Sequence, residues 1–561
     1  MRINIVISLA VLLISANCMF AGSNADAKKY YENLPFEMSE IMIPEFPDYS
    51  VNIVDFGAVG DGITMNTKAI NEAVRQCSKN GGGKVVIPAG IWLTGPIQFQ
   101  NNVNLHLQHR ALLQFSGRFE EYPLIRNTWE GLQAVRCIAP ISGFDLKNIA
   151  ITGEGVIDGA GEAWRPVKKF KMTDKQWEEL LASGGVVDKK KKIWWPSEQA
   201  MNGAKLVQKL SQKKDVKIEE FASAREYLRP VLVNFVNCKN ILLDGPTFQN
   251  SPAWNIHPLM SENIIIRNIN VRNPWFSQNG DGLDLESCRN VLIYNSAFDV
   301  GDDAICIKSG KDAYGRKRGM PTENVIVDGC TVYHGHGGFT IGSEMSGGVR
   351  NISVKHCTFI GTDVGLRFKS TRGRGGVVEN IFIDDILMKG IPTEAIRFNM
   401  FYDYSAPIPE DGSNGISAYL NRKEAAVNDG TPVFRNIEMN NIYCAGAKQA
   451  VMLLGLPEMP ISNIRLNNVN IQADKGLVCV DADKIQMDKV NIQVKSGTAL
   501  SFIQSKNIKV QGATIDENKA AQISVNGEKS ANVKIDFARG IDSKKVVKLG
   551  KEVPAGAVTC E

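Results

Sequence analysis

The sequence predicts an all-β chain wound as a right-handed parallel β-helix, with a capping helix near its start and one helical insertion. Three observations point there. First, one phrase recurs: KNIAITGEGVIDG at Asn148, KNILLDGPTFQN at Asn240, ENIIIRNINVRN at Asn263, RNVLIYNSAFDV at Asn290, ENVIVDGCTVYH at Asn324, RNISVKHCTFIG at Asn351 and ENIFIDDILMKG at Asn380, with weaker copies from Asn436, Asn463 and Asn507. Second, from Asn263 the copies are spaced 27, 34, 27 and 29 residues apart, a period that suits short strands stacked as a solenoid without helices between them. Third, the Asn-Gly hairpin turns that a β-sandwich would need are scarce. Each turn of such a helix lies about 4.8 Å above the last, so equivalent residues form ladders, and an asparagine at one phase can bond its neighbours along the axis.

The elements follow in chain order. Residues 1–22 carry a basic start at Arg2, an apolar run from Ile5 to Ala16 and small residues from Ala21 to Ala27, which is the pattern of a secretory signal cleaved between 21 and 27. Cys18 offers a lipid-anchoring alternative, although Ser15 and Asn17 match a lipobox poorly. Residues 28–50 form an extension. In NTKAINEAVRQCSKNGGG, Ala69, Ile70, Ala73, Val74 and Cys77 make a helical stripe that Gly81–Gly83 end; laid over the exposed first rung, this helix caps the solenoid. The β-helix is expected over 51–545. An excursion at about 159–228 breaks the repeat, with Thr173 and Gln176 spaced as a capping box and a lysine run, Lys189–Lys192, read as a solvated face. Residues 546–561 are expected to be a tail.

Composition narrows the class. With 43% hydrophobic and 22% charged residues and a net charge of +4, the chain is globular and gives no reason to expect a nucleic-acid partner. No segment after the leader is apolar for the length of a membrane span. Export permits disulfides, yet the cysteines after Cys18 show no C-x-x-C pair, and several share one phase of the repeat, as buried stacking thiols would.

The chemistry concentrates in NGDGLDLESCRNVLIYNSAFDVGDDAICIKSG, Asn279–Gly310. Six acids (Asp281, Asp284, Glu286, Asp299, Asp302, Asp303) stand there against Arg289 and Lys308. Ionised acids taken from water need partners or shifted pKa values, so the group binds a cation, faces a cleft or does proton chemistry. Asp281 and Asp302 lie 21 residues apart, close to one turn, which puts N-G-D-G and G-D-D on adjacent rungs at similar phase. Carboxyls held about 6.5–9.5 Å apart leave room for a water, as in an inverting glycosidase, and crowding raises at least one pKa. One rung on come His334 and His336, then Arg367 and Lys369, which alternate on a strand and so share a face. That cationic pair suits a substrate bearing carboxylates, or else balances the acids.

These residues, with VDFGAVGDGITMNTKAI and GGGKVVIPAGIWLTGPI near the start, resemble the polygalacturonases of glycoside hydrolase family 28. Four patches stand in the family's order: N-G-D-G at Asn279–Gly282, G-D-D at Gly301–Asp303, G-H-G at Gly335–Gly337 and R-F-K at Arg367–Lys369. The family usually has Thr where Gly280 stands and Ile where Phe368 stands; neither carries a proton. The resemblance spans roughly 50–470 and is nearest the bacterial exo-acting branch. It implies a pectin-lyase-like solenoid and a secreted, cofactor- and metal-independent hydrolase of acidic plant cell-wall polysaccharide, with Asp302 as general acid. It further implies Asp281 and Asp303 as water activators, His336 as the acid's support, and Arg367 and Lys369 as grips on a galacturonate carboxylate. Asn279 belongs to the same substrate-facing patch, Tyr402 is the candidate for the family's tyrosine, and His257 either lines a subsite or is a core histidine. Long loops such as Lys308–Pro321 and the excursion before Leu228 suggest a cleft closed at one end. An endo-acting or rhamnogalacturonan-directed hydrolase, a calcium-dependent lyase and a non-catalytic polysaccharide-binding solenoid stay open as alternatives.

Overall fold

The structure is a computed structural model describing residues 27–402, 417–420, 422–513, 521–537 and 541–561; the signal sequence and Cys18 lie outside these. Asparagine decides the winding. Asn148, Asn240, Asn263, Asn290, Asn324, Asn351 and Asn380 all have φ between 53° and 59°, the left-handed region that Asn tolerates better than most side-bearing residues. Each stands among the first four residues of a strand, and its side-chain amide donates to the oxygen of the asparagine one rung earlier. The bonds run from Asn240 to Asn148 at 2.8 Å, Asn263 to Asn240 at 3.0 Å, and Asn290 to Asn263 and Asn324 to Asn290 at 3.2 Å. Asn351 to Asn324 at 3.1 Å and Asn380 to Asn351 at 3.2 Å complete the series.

This ladder locks the register. Ile241, Ile264, Val291, Val325, Ile352 and Ile381 pair strand to strand and are buried in one apolar column. Parallel pairings on two further faces, for example Thr247–Asn270–Ala297 and Leu283–Ile305–Phe339, close the solenoid.

The helix Thr67–Lys79 buries Ile70, Ala73, Val74 and Cys77 against the first turn, as the stripe requires. The extension at 28–50 is a strap: Tyr30, Tyr31, Leu34, Met38, Ile43 and Phe46 pack on the outward residues Ala150, Leu242, Ile265, Leu292 and Ile326. This explains the unbroken aliphatic runs in those repeats, since a strand covered on both faces does not alternate. All ten cysteines after Cys18 are free thiols, nine of them buried.

Three expectations need correction. The excursion is not purely helical: beside the helices Asp174–Ala182 and Glu198–Ser211 it forms a small antiparallel sheet of Val167–Lys168, Val186–Asp188 and Ile193–Trp195. Its Thr173–Gln176 capping box is present and Lys189–Lys192 are exposed. Residues 546–561 are no tail, because Val547–Leu549 and Val558–Cys560 add strands to the solenoid; the aliphatic residues there still satisfy the pattern of a terminal rung. Finally, a hairpin of Leu124–Trp129 and Leu132–Cys137 leaves the solenoid where the repeat had predicted none. Its turn residues, Glu130 and Gly131, have φ of 48° and 73°, so the Glu-Gly pair was the available signal.

Asn290→Ala removes two ladder bonds and places a Cβ residue without local hydrogen bonding in the left-handed region. A loss of about 2–3 kcal/mol is expected, read as a lower midpoint in thermal unfolding. Asn290→Gly, which keeps the backbone free, should recover part of it.

Candidate active site

The register brings the sequence candidates together. Asp284 pairs with Cys306, Cys306 with Thr340 and Thr340 with Arg367, so these side chains form one outward row. Asp281, Asp302 and His336 stand just before their strands, Leu283–Glu286, Ile305–Lys308 and Gly337–Ile341. Phe368 points the other way, into the core, where its ring stacks on Phe398 at 4.0 Å and 6°; Arg367 and Lys369 therefore share the outer face.

Asp281, Asp302 and Asp303 each offer a carboxylate oxygen within 4.8 Å of the others. This is closer than the separation expected from one rung plus side-chain offset, because Asp302 and Asp303 are neighbours and the turns before the strands bring Asp281 inward. Asp303 accepts from Arg367 Nη1 at 2.9 Å and Lys369 Nζ at 2.6 Å, one cation on each oxygen. Gly337 sits close to this contact: a Cβ there would lie 2.2 Å from Thr340 Oγ1, with Asp303 Oδ1 at 3.0 Å and Arg367 Cδ at 3.2 Å. At Gly280 a Cβ would meet Ser277 Oγ at 1.9 Å and its Cβ at 2.7 Å, so a threonine in this turn would require Ser277 to move. Asp302 Oδ1 lies 3.1 Å from His336 Nδ1 and also accepts from the Asp303 amide at 3.1 Å.

Burial presses all three carboxyls toward neutrality, and their partners then separate them. For Asp303, Lys369 and Arg367 overcome burial and hold it ionised far below the ordinary range. Asp302 also falls below its ordinary value when the ring of His336 carries charge, since hydrogen bond and charge together then outweigh burial. Asp281 is pushed well above by burial and then by the charge of Asp302, and its Oδ1 has no hydrogen-bond partner among the described residues. The trio is the group able to face a metal ion together among the described residues. Two side-chain cations and His336 already engage Asp303 and Asp302, so the donor set fits its own cations rather than a metal.

A second layer supports this one. Lys308 Nζ stands 3.4 Å from Asp284 Oδ1, 3.1 Å from Glu344 Oε2 and 4.2 Å from the Trp254 ring centre. Burial pushes Asp284 up to about 8 against Lys308, while Lys308, Lys369 and Arg374 overcome burial at Glu344 and hold it at about 2. Asn279 Oδ1 accepts from Arg229 Nη2 at 2.9 Å. Tyr402 lies beside the cationic pair, with Lys369 Nζ 5.1 Å from its ring centre.

His257 is the candidate that the structure places elsewhere. It is 2% exposed, with Nε2 at 3.1 Å from Glu286 and Nδ1 at 3.2 Å from the Asn234 amide, and Trp254 packs edge-on against its ring. It is a buried histidine rather than a subsite lining, because Trp254 and the hairpin cover it. Trp129 of the hairpin stacks on Trp254 at 4.8 Å, and Asn127 bonds Asn234 at 2.8 Å. The hairpin tip reaches the next loop, where the Lys311 amide donates to the Gly131 carbonyl at 3.2 Å. The hairpin thus covers the outward row at His257, on the side preceding Asp281. Trp129, Arg229 and Lys171 were not legible as site residues, since all three lie on or beside segments that leave the repeat.

A parallel β-helix whose outer face gathers three aspartates, a histidine and an Arg–Lys pair is the architecture of a polysaccharide-cleaving enzyme. The profile of glycosyl hydrolases family 28 matches residues 168–485, and a second profile, rhamnogalacturonase A/epimerase, pectate lyase-like, matches 50–107. A probable polygalacturonase of Vitis vinifera is 30% identical over 433 residues, covering 75% of this chain and 74% of that one. An exo-poly-alpha-D-galacturonosidase of Dickeya chrysanthemi is 25% identical over 480 residues, covering 83% and 75%. The crystal structure of a hyperthermoactive exopolygalacturonase from Thermotoga maritima superposes with a TM-score of 0.65 at 32% identity, covering 81% of this chain and 94% of that one. The chain belongs to glycosyl hydrolase family 28 and is a glycoside hydrolase. Among the described residues no helix is long and apolar enough to cross a membrane.

The Glu344 pair sets an acid limit. A carboxylate held below its ordinary 4.5 stabilises the fold above that value and loses the contribution as pH falls toward about 2, on the order of 3 kcal/mol in all. Asp284 acts in the opposite sense between 3.8 and about 8, so the window below pH 3.8 separates the two. There, thermal midpoints of Glu344→Gln should fall less steeply with pH than those of the unmodified protein.

Proposed function

We propose that this protein is an exported, inverting, exo-acting hydrolase of α-linked galacturonan, releasing single galacturonic acid residues from chain ends of pectin. The observation that carries the reading is the trio Asp281, Asp302 and Asp303 with His336 on one side and Arg367 and Lys369 on the other, in the family's order. Asp302 protonates the glycosidic oxygen as the bond to the anomeric carbon breaks. Asp281 and Asp303 together relieve the attacking water of one proton on the opposite face of the sugar. Inversion follows the family resemblance rather than spacing, since the carboxylate oxygens lie within 4.8 Å of one another, closer than the separation of about 6.5–9.5 Å that leaves room for a water between two carboxyls. The raised carboxyl of the trio is Asp281, so this division requires a proton on Asp302 and none on Asp281 at the moment of bond cleavage. Arg367 spends only Nη1 on Asp303 and keeps further donors for a galacturonate carboxylate, with Tyr402 beside it and Asn279 held by Arg229 at the same face.

The exo mode is supported by the hairpin. Trp129 stacks on Trp254 and Gly131 bonds Lys311, which covers the outward row at His257, and a groove blocked there would admit only a chain end. Export follows the leader pattern, and the names of the Dickeya and Thermotoga relatives point the same way on mode.

Product analysis on defined oligogalacturonides, with EDTA present, tests the reading. Galacturonic acid should appear from the start as its β-anomer, without saturated mid-length oligomers. Mid-length products would replace the exo mode by an endo mode, and no cleavage would send the substrate search to rhamnogalacturonan. Asp302→Asn should lower kcat by about a thousandfold or more with an unchanged thermal midpoint; wild-type turnover in that variant would remove Asp302 from the acid role.

A further inference from the structure

The excursion contributes one group to the centre. Lys171 follows the strand Val167–Lys168 and precedes the Thr173-capped helix Asp174–Ala182. Its Nζ donates to the Gly301 carbonyl at 3.2 Å and lies 3.3 Å from His336 Nε2. Gly301 adjoins Asp302 in sequence, so one ammonium spans the residue before the proposed acid and the ring that touches that acid.

An ammonium can only donate. Facing Lys171, Nε2 must present its lone pair, which leaves the single proton of a neutral imidazole on Nδ1, aimed at Asp302 Oδ1 3.1 Å away. Oδ1 already accepts from the Asp303 amide. With two donors on Oδ1, a proton carried by Asp302 sits on Oδ2, the oxygen left to deliver it. The opposing influence is Asp363, whose Oδ2 is 3.7 Å from Nε2 and which would favour a proton there. Among the described residues, Asp302, Asp363 and Lys171 are the charged groups facing the ring, and Lys168 and Asp281 act on Lys171 from further off.

We propose that Lys171 is a positioning residue that holds His336 as the neutral Nδ1–H tautomer and so allows Asp302 to carry its proton. The inference rests on the hydrolase reading above, in which Asp302 is the acid. An imidazolium would turn an N–H toward the ammonium, a repulsion that Lys171 supplies and Asp363 opposes. Without Lys171 the ring is free to charge between two carboxylates, and a charged ring holds Asp302 ionised.

The test compares pH–rate profiles of the full chain with Lys171→Met and Lys171→Arg on an oligogalacturonide. In Lys171→Met, kcat should fall about tenfold or more while KM moves less than about threefold. The alkaline limb should shift to lower pH by about half a unit or more, because a charged ring lowers the pKa of the acid. Lys171→Arg, which keeps a cationic donor, should restore the limb. A limb unchanged in Lys171→Met overturns the inference, including when activity and the thermal midpoint fall together, which marks a purely structural role. Nitrogen-15 NMR of the imidazoles, with His336→Gln identifying the resonance, gives a readout that needs no substrate. It should show neutral Nδ1–H in the unmodified protein and imidazolium at neutral pH in Lys171→Met. Identical His336 signals in both would overturn the inference; loss of galacturonan cleavage by the unmodified protein would instead overturn the function.

Discussion

The structure depends on asparagines held at positive φ and bonded side chain to side chain along the axis. Each bond by itself contributes about 1 kcal/mol. Their joint effect is geometric, because an amide that must find the next amide leaves a strand no freedom to slip by one residue, and a slip would turn every core side chain outward. Register error does not accumulate between Asn148 and Asn380, so residues far apart in the chain meet. Arg367 reaches Asp303 across 64 positions and Lys369 across 66.

Charge is then handled by pairing rather than by solvent. Buried acids are costly unless compensated, and the site compensates them unequally: Asp303 has two cations, Asp302 a histidine, and Asp281 no bonded cation. The inequality spreads their proton affinities, as acid–base work requires. Beside them Lys308 is shared between Asp284 and Glu344, so it is the removal of Lys308 that would strip the buried Glu344 of its ion-pair partner.

In the proposed reading, specificity and mode belong to the segments that leave the repeat. The hairpin carries Trp129 onto Trp254 beside His257, while the excursion carries Lys171 to His336. The strap at 28–50 does similar work for stability, covering aliphatic residues that the strands expose outward. A solenoid has a regular surface, and irregular insertions are the means by which it acquires an end and a pocket.

The sequence by itself determined the solenoid, its capping helix and the common face of Asp281, Asp302, Asp303, His336, Arg367 and Lys369. Each of these follows from a period, and a period is a local property that stacking converts directly into contact. It did not determine the closeness of the three carboxylates, the burial of His257, the hairpin, the final rungs beyond residue 545 or the place of Lys171. Those depend on where aperiodic segments fold back, and that is settled by long-range packing. His257 shows the difference: its phase puts it in the outward row, and only Trp254 with the hairpin above it makes it a buried residue.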